Sequence, residues 1–542
     1  MQNLPGLMMD YQLTLTPIMK RANQLFPNKE IRTKFGETVH TQTYRDFYRR
    51  CGQLANALEN LGIQPGDRIG TMAWNTFRHH EIYFATPCMG AVCHTLNLRL
   101  PADQLTYIIN HAEDQIIFVD VELLPLLEPI ADQLTSVKHY VVMTNTDIPD
   151  TTLPNCLNYE ELLSDAAPDY NWPELDENSA AAMCYTSGTT GHPKGVLYSH
   201  RALYIHTLAE CMTDTFQLTE SDVIMPVVPM FHAMAWGLVY SATMIGATLV
   251  FPGAHMQPSD LAGLIEGQKI TLAAGVPTLW LGLLQELEKK SYDISSLRAM
   301  PVGGSAAPRS MIKAYQEKFD VEIIHAWGMT EMSPIGTVSQ LRSHMQAWDD
   351  DKKYDVRAKQ GTPPPGVEIR GIDGDGKDIP WDGIAVGELQ ARGPWVVKDY
   401  YHDERSEEAF MDGWFRTGDV VTIDSEGYIN IVDRTKDLVK SGGEWISTVE
   451  LENAIMAHEH VIEAAVFAVP HPKWQERPLA VAVANGEADL QKLTQEIYDL
   501  LAKDFSKWQF PDKIEFVSEI AKTSVGKFDK KVLRVQFKDY QL

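Results

Sequence analysis

The sequence predicts an α/β protein: a large N-terminal α/β body that closes with a β-rich subdomain, followed by a small α+β C-terminal domain. Three observations predict it. Short β-branched runs bounded by turn signals alternate with helical stretches through the first two thirds of the chain. The texture then changes to short strands set between Gly, Asp and Pro, and a compact helix-and-strand unit of about 105 residues follows Asp437. The 542 residues suit several folding units at roughly 150 residues each. With 44% hydrophobic and 22% charged residues the chain is globular in composition, which excludes collagen-like, disordered and multi-span membrane classes.

In chain order, the N-terminal MQNLPGLMMDYQLTLTPIMKR places Asp10 where a secretion signal needs its apolar run, so no such signal is expected. Strands are expected at Arg68 to Trp74, Gln115 to Asp120, Tyr140 to Thr144, Ala181 to Thr186, Ile270 to Gly275 and Leu297 to Gly304. The last precedes the helical PRSMIKAYQEKF and then VEIIHAW, a strand, helix, strand unit whose parallel pairing puts ligands at the strands' C-terminal ends. From Val223 to Ser259 there is no Asp, Glu, Lys or Arg, and its core Ala233 to Phe251 is long enough for a bilayer. Pro226, Pro229 and His232 precede that core, and its character changes at Gly246, so a buried helix followed by a buried strand is expected, with membrane contact as the alternative. After Thr362, PPPGVEIR, DGDGKDIP, VGELQARG and EGYINIVDR read as short strands of an antiparallel or barrel-like subdomain over 362–433. The boundary is placed at Asp433 to Asp437, which gives a body of 1–433 and a C-terminal unit of 437–542.

Lys plus Arg number 47 against 73 Asp plus Glu, a formal charge of -26. Such a surface repels phosphate backbones, so nucleic acid is excluded as the main partner, although a locally basic pocket for a small anion is not. Cys51, Cys88, Cys93, Cys156, Cys184 and Cys211 form no CxxC pair and read as reduced thiols, which implies a cytoplasmic address.

The strongest chemical signal is YTSGTTGHPKG, Tyr185 to Gly195, directly after an expected buried strand. Its glycines let the backbone approach a ligand, its threonines and serine add hydroxyl donors, and Lys194 adds a positive charge, which together make a cradle for phosphate oxygens. It is not the common nucleotide loop, because no Gly-Lys-Ser/Thr follows. Here the sequence resembles the acyl-adenylate-forming enzymes, which include acyl-CoA synthetases, luciferases and peptide-synthetase adenylation domains. Five further segments match that pattern in order: VGGSAAP from Val302, HAWGMTE from His325, GWFRTGD from Gly413, DRTKDLVKSGGEWIS from Asp433 and KTSVGKFDKK from Lys522.

The resemblance implies that ATP is held by Thr186, Ser187, Gly188, Thr189 and Thr190, by Gly303, Gly304, Ser305 and Ala306, and by His325, Ala326, Trp327, Gly328, Met329 and Thr330. Trp327, ending a strand, would stack on adenine, and Asp419, after a turn-forming Arg-Thr-Gly, would hold the ribose hydroxyls with Arg434 assisting. Thr330 and Glu331 supply hard oxygens suited to Mg²⁺, and Thr186 and Glu331 are the expected metal ligands. Lys527 resembles the family's catalytic lysine, with Lys194, Glu331 and His232 completing the catalytic set; the alternative for the lysines between Lys522 and Lys531 is a solvated basic face. Lys436 lies in the expected hinge, 434–436, about which a mobile C-terminal domain rotates, and Lys440, Gly442, Gly443 and Trp445 belong to the segment that it swings towards the active site to line a pantetheine passage.

The implied reaction joins a carboxylic acid to coenzyme A through an acyl-AMP, releasing pyrophosphate and then AMP. PMFHAMAWG, SGGEWIS and HPKWQERP look most like bacterial long- and medium-chain fatty acyl-CoA synthetases, with His232 beside the acyl carboxylate and Trp236 as an aromatic gate to the acyl tunnel. Open alternatives are a short or methylthio-alkanoic acid, a luciferase-type oxidation, a kinase that releases ADP and a non-enzymatic lipid-binding protein. Similar enzymes are commonly dimeric, so a homodimer is the expected assembly, and no transmembrane segment is expected.

Overall fold

In a computed structural model the chain is described at residues 4, 6–186, 192–434, 437–441, 444–486, 489–522, 528–538 and 540, with the backbone alone at 444 and 445. Two large sheets build the body. One has seven strands in the order Cys156–Asn158, His139–Met143, Asp114–Asp120, Arg68–Met72, Val92–Thr95, Ala180–Tyr185 and Gly195–Ser199, parallel except for the last. The other has eight strands and contains the strand, helix, strand unit read from sequence: Ala299–Val302 pairs in parallel with Glu322–Gly328 across helix Arg309–Phe319. That helix buries Met311, Ile312 and Tyr315 on one stripe, as an amphipathic crossover must.

The charge-free segment is internal. Strand Val223–Pro226, helix Leu238–Ile245 and strand Thr248–Phe251 lie in the body's core, and no helix among the described residues is long and apolar enough to cross a membrane. Its helix starts later than the sequence suggests. Ala233, Met234, Ala235 and Trp236 have φ of 42°, 53°, 52° and 58°, a left-handed turn, and the right-handed helix begins only after Gly237. Left-handed geometry costs L-residues on the order of 1 kcal/mol each, so burial of the whole turn has to hold it.

The β-rich region is a five-stranded antiparallel sheet: Glu368–Ile372, Gly387–Arg392, Trp414–Ile423 and Phe410–Met411, with Ile429–Arg434 on the far flank of Trp414–Ile423. Two expectations are corrected here. DGDGKDIP is a turn rather than a strand, because Asp373 Oδ1 accepts from the N–H groups of Asp375 and Lys377 and satisfies the backbone locally. Arg416, Thr417 and Gly418 do not form a turn; they lie inside the continuous strand Trp414–Ile423, where the register against Gly387–Arg392 shifts and Gly418 takes φ 72°.

The separate C-terminal α+β domain has its own five-stranded sheet, Glu444–Ile446, Val439–Ser441, Gln475–Ala484 and Val461–His471, with Lys513–Phe516 alongside Gln475–Ala484. Helices Thr448–Met456 and Leu490–Leu501 cover one face, the second burying Leu493, Ile497 and Leu501 at helical spacing.

Candidate active site

A cavity of about 520 Å³ opens where the C-terminal ends of the body's strands meet the β-rich sheet and the C-terminal domain. Gly304, Ser305, Ala306, His325, Ala326, Trp327, Gly328, Asp419 and Arg434, distant in sequence, all line it. Trp327 occupies the end of strand Glu322–Gly328 and is 7% exposed. Its indole N–H donates to Asp419 Oδ2 at 2.7 Å, and a Cβ on Gly336 would sit 2.2 Å from the ring, so the ring plane is fixed from its edge and from one face. Asp419 and Arg434 are cross-strand partners, with Arg434 Nε 3.3 Å from Asp419 Oδ1. The guanidinium keeps that buried carboxylate compensated, and each carboxylate oxygen retains a lone pair for a hydroxyl donor.

His325 contributes differently from the sequence reading. Nδ1 meets the carbonyl of Ala358 at 2.9 Å and Nε2 accepts from the N–H of Ala307 at 3.2 Å, so both ring nitrogens are used within the protein. The ring shapes the loop of Gly304 to Ala307, and burial drives its pKa down to about 4, which keeps it neutral.

In the hydroxyl- and glycine-rich segment from Tyr185 to Gly195 the described residues, up to 186 and from 192, are the two sides of its neck. Thr186 N–H donates to the carbonyl of Lys194 at 2.9 Å, and Thr186 Oγ1 accepts from Lys194 N–H at 3.3 Å. Lys194 Nζ lies 4.2 Å over the ring of Tyr400, whose hydroxyl donates to Glu331 Oε1 at 2.8 Å. One phenol thus holds the loop's cation and the carboxylate of HAWGMTE in fixed relation. Burial lowers the Lys194 pKa, aided by Arg405, and burial raises that of Glu331 against the pull of Tyr400, Arg434 and Lys194. The Glu331 carboxylate, buried with Oε1 on Tyr400, is a hard oxygen donor of the kind that Mg²⁺ takes, so Glu331 fits that ion. Thr330 presents its backbone differently: its carbonyl accepts from Tyr198 at 2.7 Å.

Beside the cavity's glycine loop, Trp236 ends the left-handed turn with its ring 3.4 Å from where a Cβ on Gly303 would stand. The aromatic therefore abuts the loop of Gly303 to Ala306 that lines the cavity. His232, half-buried, opens the same turn, and Met329 is half-buried behind Trp327. Lys440 sits exposed on strand Val439–Ser441, with its N–H on Glu476, and does not line the cavity. Ser187, Gly188, Thr189, Thr190, Lys436, Gly442, Gly443 and Lys527 lie outside the described residues, and Trp445 is described only as backbone in strand Glu444–Ile446.

Sequence reasoning missed Tyr400 and the Asp403–Arg405 pair. Tyr401 N–H donates to the Gly195 carbonyl at 2.9 Å, Arg405 Nη2 donates to the His192 carbonyl at 3.1 Å, and this segment thus lies along residues 192–195. DYYHDER, an aromatic pair among charges just past a strand, was the available signal, but nothing local ties it to a loop two hundred residues earlier.

Residues 19–401 match the family described as AMP-binding enzyme, and residues 450–527 match its C-terminal domain. The chain is 47% identical to a long-chain-fatty-acid–CoA ligase of Thermus thermophilus, over 100% of this chain and 98% of that protein. It is 46% identical to a 3-methylmercaptopropionyl-CoA ligase of Ruegeria lacuscaerulensis over 98% and 99%, and 43% identical to a medium-chain-fatty-acid–CoA ligase of Ectopseudomonas oleovorans over 99% and 98%. Among solved structures, the anthranilate CoA ligase AuaEII in complex with anthranoyl-AMP superposes with a TM-score of 0.87 at 26% identity, covering 97% of this chain and 98% of that one. MatB from Rhodopseudomonas palustris, also 26% identical, superposes with 0.83 when ATP-bound and 0.74 when apo, over 98% of this chain and 99% of MatB in both cases.

Proposed function

The chain belongs to the AMP-binding enzyme family and is an acyl-CoA synthetase, and from that premise we propose that it activates a medium- to long-chain fatty acid as its acyl-AMP and passes the acyl group to coenzyme A. The observation that carries the choice of acid is the charge-free segment from Val223 to Ser259, packed in the body's core and bearing Trp236 against Gly303. An alkyl chain gains roughly 0.8 kcal/mol per buried CH₂ in such surroundings. An ammonium-bearing acid would need a buried carboxylate partner that this segment does not offer.

In the first half-reaction a carboxylate oxygen attacks the α-phosphorus of ATP, and the bond to pyrophosphate breaks. The attacking carboxylate is already ionised, so no general base is needed; the requirement is to screen approaching anions and the charge that develops between them. Lys194, held over Tyr400, and Lys527, brought by the C-terminal domain, suit that task, with His232 beside the acyl carboxylate. Trp327 and the loop of Gly303 to Ala306 would take adenine, and Asp419 with Arg434 the ribose. Glu331 and Thr186 would hold Mg²⁺, which neutralises charge on the phosphates. In the second half-reaction the thiol of coenzyme A attacks the acyl carbon and AMP departs. One site then needs two faces of the C-terminal domain, which is met by a boundary within Asp433 to Asp437, rotation about Lys436, and a thiol passage lined by Lys440, Gly442, Gly443 and Trp445.

A short methylthio-alkanoic acid is the second reading, favoured by the 46% identity to a 3-methylmercaptopropionyl-CoA ligase. AMP release with coenzyme A present, measured over acids from two to eighteen carbons and 3-methylthiopropionate, separates the two. Turnover that peaks at six carbons or more supports the proposal, and a peak at the methylthio acid replaces it. A cytoplasmic homodimer completes the reading, with sedimentation as its check.

A further inference from the structure

The C-terminal domain is fastened to the body by a chain of polar groups, buried except for the half-buried Lys530, that borders the candidate cavity and has no role in the chemistry proposed above. Strand Ile429–Arg434 ends at the expected hinge, and two side chains at the start of helix Thr448–Met456 reach back to it. Ser447 Oγ donates to the carbonyl of Val432, and Thr448 donates both its N–H, at 2.7 Å, and its hydroxyl, at 2.6 Å, to Asp433 Oδ2. The same hydroxyl oxygen accepts from Lys530 Nζ at 2.5 Å, and Lys530 pairs with Glu452 Oε1 at 2.8 Å. Glu452 Oε1 in turn accepts from Val466 N–H at 2.8 Å, inside the domain's central sheet. Asp433 is 1% exposed and Thr448 fully buried.

Burial is what makes the chain selective. A buried ion pair adds little against water, yet removal of one partner leaves an uncompensated charge in a low dielectric. Asp433 and Glu452 are two acids served by the one ammonium of Lys530, and the Thr448 hydroxyl is the relay between the body's acid and that ammonium. Lys530 also stands three residues after Lys527, and it lines the same cavity as Trp327 and Asp419, together with Asp433 and Glu452. The group that closes the relay thus anchors the end of the segment in which the catalytic lysine is expected. The whole chain superposes better on ATP-bound than on apo MatB.

We propose that Asp433, Thr448, Lys530 and Glu452 form a latch that holds the C-terminal domain in the orientation for acyl-AMP formation and must part before the thiol step. It rests on the two-step reading above: a rotation about Lys436 leaves Asp433 with the body and carries Thr448, Glu452 and Lys530 away, so the two bonds to Asp433 break while Lys530 and Glu452 stay together. These are positioning residues, not catalytic ones.

The test is Thr448→Val, which removes the relay hydroxyl and keeps the N–H, with Thr448→Ser as the conservative control. Tryptic cleavage of the native full chain between Arg434 and Lys440 should accelerate roughly tenfold in Thr448→Val, the worth of one hydrogen bond to a charged group, and return to the wild-type rate in Thr448→Ser. Cleavage elsewhere and thermal unfolding should change little. Acid-dependent ATP–pyrophosphate exchange should fall by a similar factor, while thioester formation from preformed acyl-AMP is unchanged or faster. Linker cleavage at the wild-type rate, or a parallel loss of both half-reactions, overturns the latch. Absence of exchange in the wild type with every acid overturns the functional reading instead, and the cleavage rates still decide the latch.

Discussion

At the scale of single residues, Tyr400 shows why a side chain outside every motif matters. Phenylalanine there would keep the cation over its ring but leave Glu331 without its donor in a buried setting, a loss of about 1–3 kcal/mol. Tyr400→Phe is therefore expected to lower kcat/KM for acyl-AMP formation about tenfold or more and to spare thioester formation from acyl-AMP; an unchanged first step would remove the role. His80 illustrates a residue that serves the fold alone. It stacks on Phe47 at 4.2 Å and meets Thr243 Oγ1 at 3.0 Å, and burial lowers its pKa from 6.5 to about 3. A depressed histidine lends stability that is complete above its unfolded pKa and is lost as pH falls towards the folded one. Between neutral pH and about pH 5 the wild type should lose about 2 kcal/mol more unfolding free energy than His80→Asn does, read from urea titrations at the two pH values. Equal losses would show that His80 does not titrate this way.

Among the described elements, the left-handed turn from Ala233 to Trp236 is where local preference and observed conformation conflict most. A Cβ on Gly237 would stand 2.7 Å from His206 Cε1 and 2.9 Å from Glu210 Oε2, both on helix His200–Cys211, so glycine lets that helix pack against the end of the turn. The geometry is thereby imposed from outside, and its effect is to aim Trp236 at Gly303. Trp236→Ala should broaden or shift chain-length preference while the apparent affinity for ATP moves little. A defect in ATP binding with unaltered chain-length preference would count against the gate. The strand Trp414–Ile423 makes the same point more mildly: the bulge at Gly418, which reads locally as a turn, is absorbed into a long strand and puts Asp419 opposite Arg434.

For the whole molecule, the net charge of -26 coexists with Lys194 and Arg434 close to buried acids at the site, so long-range repulsion of nucleic acids and local capture of a nucleotide are compatible. Lys527→Ala should abolish acyl-AMP formation and leave thioester formation from preformed acyl-AMP largely intact, because only the first step needs that charge; comparable loss of both, measured separately, would refute the assignment. The sheets and the crossover helix of the body were legible from alternating β-branched and amphipathic runs, since backbone hydrogen bonding and one-sided burial impose those periods wherever an element forms. The family's motifs were legible because glycines, hydroxyls and charges at fixed offsets suit a ligand held through short stretches of backbone. Sequence alone therefore determined the α/β body, the β-rich region, the smaller C-terminal domain and the family's chemistry. Tertiary structure decided that Tyr400 bridges Lys194 to Glu331, that the His325 ring is spent on the backbone of Ala307 and Ala358, that Ala233 to Trp236 turn left-handed and that Lys530 sits half-buried beside Thr448. Each of those depends on burial against residues tens to hundreds of positions away, and desolvation strengthens a contact or makes it costly only once the chain has closed around it.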